Sequence, residues 1–395
     1  MTGVNEFDVV VAGAGIIGGS IAFELARRNL RVALIDRQEP GREASWAAAG
    51  MLSPAPDSPG AIALVPLARA SLNLYPQFIS DIEVAGIPGP GAQGGLNLRT
   101  GYRADGAMEV LFRGDAVREM STLVALHHGL GLAAEPLSIE QAREMEPALS
   151  RDLRAAVLLP GEASVDSRAL TEVVIAAAIA GGAVLVSGAA VVSLVTEGAR
   201  CSGVNLSDGR KLLAGHVVLA AGCWTSQLEQ VASYAPTRPV RGQMAALRHR
   251  GSTIRRVLRS DRGYIVPRDH QVPQKILVGA TSEDAGYEKC VTSGGLEQIF
   301  AAVNELAPEL ARAEIIETWS GLRPGTPDQL PILGPTEIEG LIIATGHYRN
   351  GILLAPVTAK LIAEWICENR TSIDWEAFSP ARFTEANSGG QSAGA

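Results

Sequence analysis

Three glycines near the start of the chain have the spacing of a phosphate-binding loop. Gly13, Gly15 and Gly18 form the pattern G-x-G-x-x-G. In such a loop the first glycine permits a tight turn, the second lets a pyrophosphate approach the backbone, and the third lets a helix pack closely on a strand. Asp36 follows at the distance at which an acid accepts hydrogen bonds from an adenosine ribose. These residue types together predict a dinucleotide site.

The elements that would position these residues follow one another in the required order. The apolar run Val9–Ala12 indicates a strand buried on both faces. The next segment places Ile17 and Ile21 on one helical face, and a second strand ends at Asp36. A βαβ unit therefore surrounds the glycines, and Ile16 and Ile17 open its helix, where N–H groups and the helix dipole favour a pyrophosphate.

The nature of the dinucleotide follows from the acid and from the far end of the chain. A carboxylate at Asp36 would repel the 2′-phosphate of NADP, which leaves FAD or NAD, and Arg37 weakens this exclusion only a little. Residues 340–356 indicate a strand, a glycine turn from Gly346 to Gly351 and a helix start. A flavin needs such a second helix terminus, because its ring lies far from its adenosine and gains negative charge on reduction. The pattern favours FAD.

Length and composition limit the class of protein. The 395 residues are 47% hydrophobic and 19% charged, with a formal net charge of −8 at pH 7. The length favours two domains or a discontinuous pair, and the acidic balance argues against a nucleic-acid partner. The histidines show no zinc spacing, and no metal-ligand cluster or Ser/His/Asp triad stands out.

The cysteines and the start of the chain bear on its location. Four scattered cysteines without a CxxC pair are expected to be buried thiols. The first residues, MTGVNEFDVVV, lack a basic region followed by an apolar run and a cleavage site. Both features predict a reducing, cytoplasmic location.

One uncharged stretch, Val173–Val195, is long enough to cross a bilayer. Gly181-Gly182 interrupts it in the middle, and Ser187-Gly188 interrupts it again before a β-branched run. We therefore expect a helix end, a glycine turn and two short strands rather than a membrane span.

The segment 41–54, GREASWAAAGMLSP, reads neither as a good helix nor as a strand. Its alanines and Gly50 are small enough for backbone to lie close to a flavin, and Ser45 offers a hydroxyl to a phosphate or ribityl group. Trp46 is left without a role.

Several blocks of sequence together resemble a known family. They are the N-terminal βαβ unit, EASWAAAGMLSP, VDSRAL, VVLAAGCWT, GLRPGTPD and GHYRNGILLAP. They resemble the D-amino-acid oxidase superfamily of flavoproteins, and within it the glycine oxidases of thiamine biosynthesis. The resemblance extends over about residues 7–375 and is weakest in residues 57–152.

The resemblance implies an α/β fold with two domains. A Rossmann-like, doubly wound FAD-binding domain, discontinuous in sequence, is expected from residues 1–85, 155–230 and 325–375. An α+β substrate domain with a mainly antiparallel sheet is expected from residues 86–154 and 231–324. The tail 381–395 has too little apolar surface to order itself and is expected to be disordered.

The resemblance also implies the binding residues. Arg323 would bind the substrate carboxylate, Arg349 would also reach the substrate, and Tyr264 would close over the carboxylate. Non-covalent FAD would be bound by Gly13, Gly15, Ile16, Ile17, Gly18, Asp36, Arg37, Ala44, Ser45, Ala49, Gly50, Met51, Val191 (at the adenine), His347, Tyr348, Arg349, Asn350, Gly351, Ile352 and Leu353.

Residue chemistry supports part of this assignment and leaves alternatives open. A guanidinium in the apolar surroundings of Arg323 needs a partner, which a substrate carboxylate would supply in bidentate form. An ion pair with an acid such as Asp328 is the alternative. For Tyr264 the alternative is a packing role in a half-buried strand position. For His347 the alternative is a capped histidine in a loop.

The function implied is oxidation of glycine, a related small primary or secondary amine, or a D-amino acid. Hydride transfer to flavin N5 needs no acid or base at the substrate carbon, so we expect none. The products would be an imine, then glyoxylate or another 2-oxo acid and ammonia, with hydrogen peroxide from O₂. The resemblance further implies supply of thiazole synthesis and a homo-oligomer.

Three alternatives remain open. They are a D-amino-acid or glycine dehydrogenase that passes electrons to quinone, a sarcosine oxidase-like enzyme, and a flavin-binding regulator without turnover. Covalent flavin is disfavoured because the GHYRNG loop has no cysteine. Asp36 stands where these flavoproteins usually have glutamate, and the choice of substrate depends on Met244 and Gly279–Asp284, where one or two methylenes are worth about 1–3 kcal/mol.

Overall fold

A computed structural model describes residues 6–56, 58–85, 100–249, 254–268 and 274–388. The expectations for residues 86–99 and 389–395 lie outside these ranges. The helices are α1 (Ile16–Ala26), α2 (Ala44–Ala47), α3 (Val65–Ala85), α4 (Ala116–Gly129), α5 (Ile139–Met145), α6 (Ser167–Ala180), α7 (Ser293–Leu306), α8 (Gly351–Glu368) and α9 (Ala381–Ser388). The strands are β1 (Glu6–Ala12), β2 (Val32–Asp36), β3 (Met51–Leu52), β4 (Ala107–Leu111), β5 (Glu135–Leu137), β6 (Ala155–Leu159), β7 (Ala163–Ser164), β8 (Val184–Ser187), β9 (Val191–Glu197), β10 (Arg200–Leu206), β11 (Lys211–Leu219), β12 (Arg238–Arg248), β13 (Val257–Arg259), β14 (Tyr264–Arg268), β15 (Lys275–Gly279), β16 (Glu314–Gly325), β17 (Ile332–Pro335) and β18 (Leu341–Thr345).

The first large sheet holds the N-terminal βαβ unit. Its strands run in the order β17-β18-β11-β1-β2-β8, and β10 pairs with both β11 and β9. The pairs of β1 with β2 and β11, of β11 with β18, and of β2 with β8 are parallel. Their carboxyl ends therefore meet at one edge of the sheet, where ligands bind in folds of this kind.

Alternate residues of the central strands enter two different cores, as a strand buried on both faces requires. Val9 and Val11 join α1, α3, α6 and α8 on one face. Val10 and Ala12 pack on the other face with residues of β9 and β10. The fold class predicted from the sequence is confirmed.

The uncharged stretch 173–195 has the predicted structure. α6 ends at Ala180, Gly181 and Gly182 form the turn, and β8 and β9 follow. Within the described ranges, no helix is long and apolar enough to span a membrane.

The second large sheet has the order β16-β12-β15-β14-β13-β4-β6-β5. All its pairs are antiparallel except β13 with β4. α5 and α7 pack on one face, while α4 and the segment around Ala47–Met51 pack on the other. The second sheet thus borders the first domain through this segment.

The domain division stays a prediction. The strands of the first sheet come from residues 6–36, 184–219 and 332–345. β6, whose residues fall in the range expected for the FAD domain, pairs in the second sheet instead.

Three expectations need correction. The tail is ordered through Ser388 as α9, because Arg382 binds Asp328 at 2.8 Å and the carbonyl oxygen of Pro331 at 3.0 Å. The segment 41–54 contains the one-turn helix α2 and the strand β3, which pairs with β7. The cysteines are not all buried, since Cys367 is exposed.

Candidate cofactor and substrate site

A cavity of about 1450 Å³ is lined by residues of both large sheets. It extends from the glycine loop after β1 to the arginines of β16 and of the loop before α8. Most of the predicted site residues meet there. Gly18 and Leu353 are the two that the lining does not include.

The glycine loop has the geometry predicted for it. Gly13 has a φ of +107°, and a side chain there would collide with the carbonyl of Ala220. Gly18 packs on the carbonyl of Gly13, so its task is helix-to-strand packing. Gly15 lies at the cavity and leaves the start of α1 accessible.

Ser45 has a protein partner in this loop. Its hydroxyl oxygen accepts a hydrogen bond of 2.9 Å from the backbone N–H of Ile16, at the first turn of α1. The hydroxyl proton stays available to donate to a phosphate or ribityl oxygen. The sequence did not indicate the bond between the Ile16 N–H and the Ser45 hydroxyl.

Asp36 ends β2 at the cavity and is already bonded to the protein. One carboxylate oxygen accepts from the N–H of Ala14 at 2.9 Å and the other from the N–H of Gln38 at 3.0 Å. Burial raises the pKa of Asp36, while these two bonds act in the opposite direction. A carboxylate has about four lone-pair sites, so it can still accept from a ribose.

Arg37 is held beside the acid by two contacts. Its guanidinium binds Glu43 at 2.7 Å and lies 3.9 Å from the centre of the Trp224 ring. These contacts make it a poor partner for a 2′-phosphate. Val191 lines the same end of the cavity.

Close packing against other residues of the protein already requires small side chains in segment 41–54. Gly50 has a φ of +73°, and a side chain there would collide with the carbonyl of Val165. Ala47 faces Gly321 with no room for a larger group. Ala44, Ala49, Gly50 and Met51 also line the cavity, so close approach to a cofactor is a second reason rather than the first.

Trp46 packs outside the cavity lining. Its ring meets Trp319 edge-on with the centroids 6.0 Å apart, and the guanidinium of Arg168 lies 3.6 Å from its centre. The role that the sequence left open is therefore packing of α2 against β16 and α6.

The loop before α8 forms the other wall. Burial lowers the pKa of His347 to about 3, so its ring is neutral, and its Nε2 lies 3.1 Å from the Thr358 hydroxyl. Asn350, Gly351 and Ile352 also line the cavity. Leu353 is buried behind it, where its carbonyl accepts from Ser71.

Arg323 reaches the cavity from β16 without a carboxylate partner. Its guanidinium donates to the carbonyl of Thr281 at 3.1 Å, and no carboxylate of the described residues pairs with it. Asp328, the predicted alternative partner, binds Arg382 instead. Gly242 lies directly under the guanidinium, and a Cβ there would collide with it. The structure thus makes room for this cation, and within the described ranges no carboxylate neutralises it.

Two tyrosines and a second arginine lie close to Arg323. Burial raises the pKa of Tyr264, and the nearby Arg323 and Arg349 act in the opposite direction. Burial also acts to raise the pKa of Tyr348, but a hydrogen bond to Ser282 and the charge of Arg349 bring it below its usual value. The three predicted substrate residues therefore share one end of the cavity.

Strand alternation could have found more of this wall. Trp319, Gly321 and Arg323 are two residues apart in β16 and share one face of the strand. Trp319 donates from its indole nitrogen to the carbonyl of Ala47 at 3.1 Å, and Gly321 packs on the Ala47 side chain. The pattern W-x-G-x-R thus marked a strand face that contacts segment 41–54 and carries the cavity-lining Arg323.

The cavity fits FAD on two observations. The glycine loop presents a helix N-terminus next to the acid Asp36, which suits a pyrophosphate and a ribose. Ala49 and Gly50 are buried cavity-lining residues whose backbone N–H groups donate to no group in the described part of the chain. Buried N–H groups are rarely left without a partner, so a bound group is expected to accept from them.

This fold and this site define a two-domain flavoprotein of the dinucleotide-binding class. The chain belongs to the family of FAD dependent oxidoreductases, whose model matches residues 8–365. It is 32% identical to a glycine oxidase of Geobacillus kaustophilus over 96% of this chain and 97% of that protein. The crystal structure of glycine oxidase from Geobacillus kaustophilus has a TM-score of 0.85, covering 95% of this chain and 99% of that one.

A bifunctional protein ThiO/ThiG of Trichormus variabilis is 36% identical over 95% of this chain. The chain spans about half of that relative, 55% of its length.

Proposed function

We propose that the protein is an FAD-dependent amino-acid oxidase that deaminates glycine or a closely related small amine. The observation that carries the proposal is Arg323, a cation at the cavity for which Gly242 makes room and which no described carboxylate neutralises. Similarity to a glycine oxidase over nearly the full length of both proteins supports it.

The residues at this end of the cavity would bind and orient the amino acid. Arg323 would hold the carboxylate, and a protonated Tyr264 would donate to it from the neighbouring strand. Arg349 adds a second positive charge, which disfavours a protonated amine close by and so favours the neutral amine that hydride transfer requires. FAD held by the glycine loop, Asp36 and segment 41–54 would supply the two-electron oxidation of the amine to an imine, with O₂ as the final electron acceptor and hydrogen peroxide as its product.

The overall reaction would convert glycine, O₂ and water into glyoxylate, ammonia and hydrogen peroxide. Similarity to a protein named ThiO/ThiG supports a role in thiamine biosynthesis, with the product used for thiazole synthesis. A cytoplasmic location and a homo-oligomer stay predictions.

We propose that FAD is bound without a covalent bond. Cys223 is the one cysteine of the cavity lining among the four, all of which are described. Burial raises the pKa of its thiol to about 12, so the reactive thiolate is not formed near neutral pH. Acid precipitation should release all the flavin into the supernatant, and flavin that stays with the protein would contradict this.

The proposal is tested by peroxide release from purified holoprotein with glycine, sarcosine, D-alanine and D-proline. Peroxide with glycine as the best substrate is the expected result. A preference for sarcosine would favour the sarcosine oxidase-like alternative. Amine-dependent reduction of a quinone without peroxide would favour the dehydrogenase, and no turnover with any amine would favour the regulator.

A further inference from the structure

Five successive carbonyl groups, from Trp46 to Gly50, each accept a hydrogen bond from another part of the chain. The donors are Arg168 Nε to Trp46 at 3.2 Å, Trp319 Nε1 to Ala47 at 3.1 Å, the Ser167 hydroxyl to Ala48 at 2.6 Å, Arg268 Nη2 to Ala49 at 2.6 Å and the Val165 N–H to Gly50 at 2.8 Å. Such complete anchoring fixes the orientation of every peptide in the segment.

The anchoring decides where the N–H groups point. In a trans peptide the N–H lies opposite the C=O, so a carbonyl turned towards Ser167 or Arg268 turns the attached N–H the other way. The N–H groups attached to the carbonyls of Ala48 and Ala49 are those of Ala49 and Gly50. Both residues are buried and line the cavity, and these N–H groups have no acceptor in the described ranges.

The segment that carries the two N–H groups packs with residues of the proposed substrate end of the cavity. Ala49 and Met51 belong to the same apolar cluster as Tyr264 and Met244. Asp36 marks the opposite, ribose end. The flavin ring, which lies far from its ribose, would therefore be the group beside this segment.

Arg268 is the unusual donor among the five. It ends β14 of the second sheet, its side chain is 3% exposed, and its Nε lies 3.9 Å from Asp166. Burying a guanidinium is costly unless strong hydrogen bonds compensate. A bond from a cation to the Ala49 carbonyl also polarises that peptide and makes the N–H of Gly50 a stronger donor.

We propose that Arg268 is a positioning residue that raises the reduction potential of the bound flavin through the Ala49–Gly50 peptide. Hydrogen-bond donors at the ring stabilise the negative charge that it gains on reduction. Arg268, which is not among the residues that line the cavity, would thereby tune the cofactor without touching it. The inference rests on FAD in the cavity and does not depend on which amine is oxidised.

The test is the two-electron reduction potential of the bound flavin, measured by reductive dye equilibration without any amine. Arg268→Met, which removes the donor, is expected to disfavour reduction by about tenfold, about 30 mV for two electrons. Arg268→Lys keeps a cationic donor and should restore at least half of that shift. Arg256→Met is the matched control, because Arg256 binds the buried Glu146 at 3.2 Å outside the cavity lining, and it should leave the potential unchanged.

Two results would overturn the proposal: a wild-type potential in Arg268→Met, or equal shifts in the Met and Lys variants. Should Arg268→Met fail to fold, Arg268→Gln takes its place. It removes the positive charge but keeps a neutral side-chain donor, so it should lower the potential below that of the wild type, and a wild-type potential would contradict the proposal. Failure of the enzyme to oxidise glycine would leave these measurements intact, so the two proposals fail separately.

Discussion

Arg323 keeps its position because Gly242, on the neighbouring strand β12, has no side chain. Gly242→Ala should displace the guanidinium, the flexible end of its side chain, rather than unfold the sheet. We expect the KM for glycine to rise at least tenfold, because a hydrogen bond to a charged group is worth about 1.5–3 kcal/mol. Steady-state kinetics in air measures this effect.

Two comparisons complete that experiment. Arg323→Ala should raise KM by at least as much as Gly242→Ala. Gly129→Ala, at the exposed end of α4 where an added Cβ meets nothing within 4 Å, should leave KM unchanged. An unaltered KM in Arg323→Ala would show that this arginine does not bind the substrate.

The buried His347 should make the free energy of unfolding depend on pH in the acid range. Burial lowers its pKa to about 3 in the folded chain, whereas an unfolded histidine titrates near 6.5. The unfolded state therefore binds the extra proton as the pH falls below 6.5, and folding loses stability progressively towards pH 3. His347→Gln removes this titration.

Urea unfolding at pH 7 and pH 4.5, with FAD in excess, measures the difference. The wild type should lose about 2–3 kcal/mol more than His347→Gln between these pH values. Equal losses in the two proteins would contradict a neutral, buried His347.

At the scale of elements, α3 supplies a hydrogen bond that Pro356 removes from α8. Pro356 has no N–H to donate to the carbonyl of Ile352, four residues earlier, and the Tyr75 hydroxyl donates to that carbonyl at 2.5 Å instead. Tyr75→Phe leaves a buried carbonyl without a donor, which costs about 1–3 kcal/mol. It should also weaken FAD binding, because the loop before α8 lines the cavity.

Thermal unfolding and FAD titration of the apoprotein measure both effects. Tyr102→Phe serves as control, since Tyr102 stacks on Tyr75 but its hydroxyl donates no hydrogen bond within the described ranges. If Tyr75→Phe had the same stability and FAD affinity as Tyr102→Phe, the proposed role of the Tyr75 hydrogen bond would be contradicted.

The elements differ in how far the sequence alone could predict them. The βαβ unit was predicted because its signals are local: Gly13, the apolar run before it and Asp36 lie within about one supersecondary unit. Trp46 could not be placed, because Arg168, which stacks on it, is 122 residues away in sequence. α9 was missed for the same reason, since Arg382 is ordered by Asp328, 54 residues earlier.

The candidate site shows the same limit. The family resemblance predicted Arg323, Arg349 and Tyr264 as substrate residues, and the fold brings them together at one end of the cavity. The bond from Arg268 to Ala49 joins residues 219 positions apart and has no local pattern. Hydrogen bonds of this kind can be identified only from the structure, because they form where both large sheets pack against segment 41–54.

At the scale of the whole molecule, the cofactor should link the two large sheets, because both line one cavity. A ligand that binds only the folded state stabilises it by about 2.7 kcal/mol at a hundredfold excess over its Kd. We expect the melting temperature of the apoprotein to rise with added FAD. FMN, which has no adenosine for Asp36, and NADP should raise it less, and an equal rise with either would contradict the cofactor assignment.

The most direct measurement is the visible spectrum of the holoprotein mixed with glycine in the absence of O₂. If the cavity binds FAD and holds an amino acid by Arg323, glycine should bleach the flavin absorbance, and admitted O₂ should restore it with release of peroxide. Arg323→Ala should need a far higher glycine concentration for the same bleaching. A flavin that stays oxidised with glycine, sarcosine, D-alanine and D-proline alike would contradict an amino-acid oxidase.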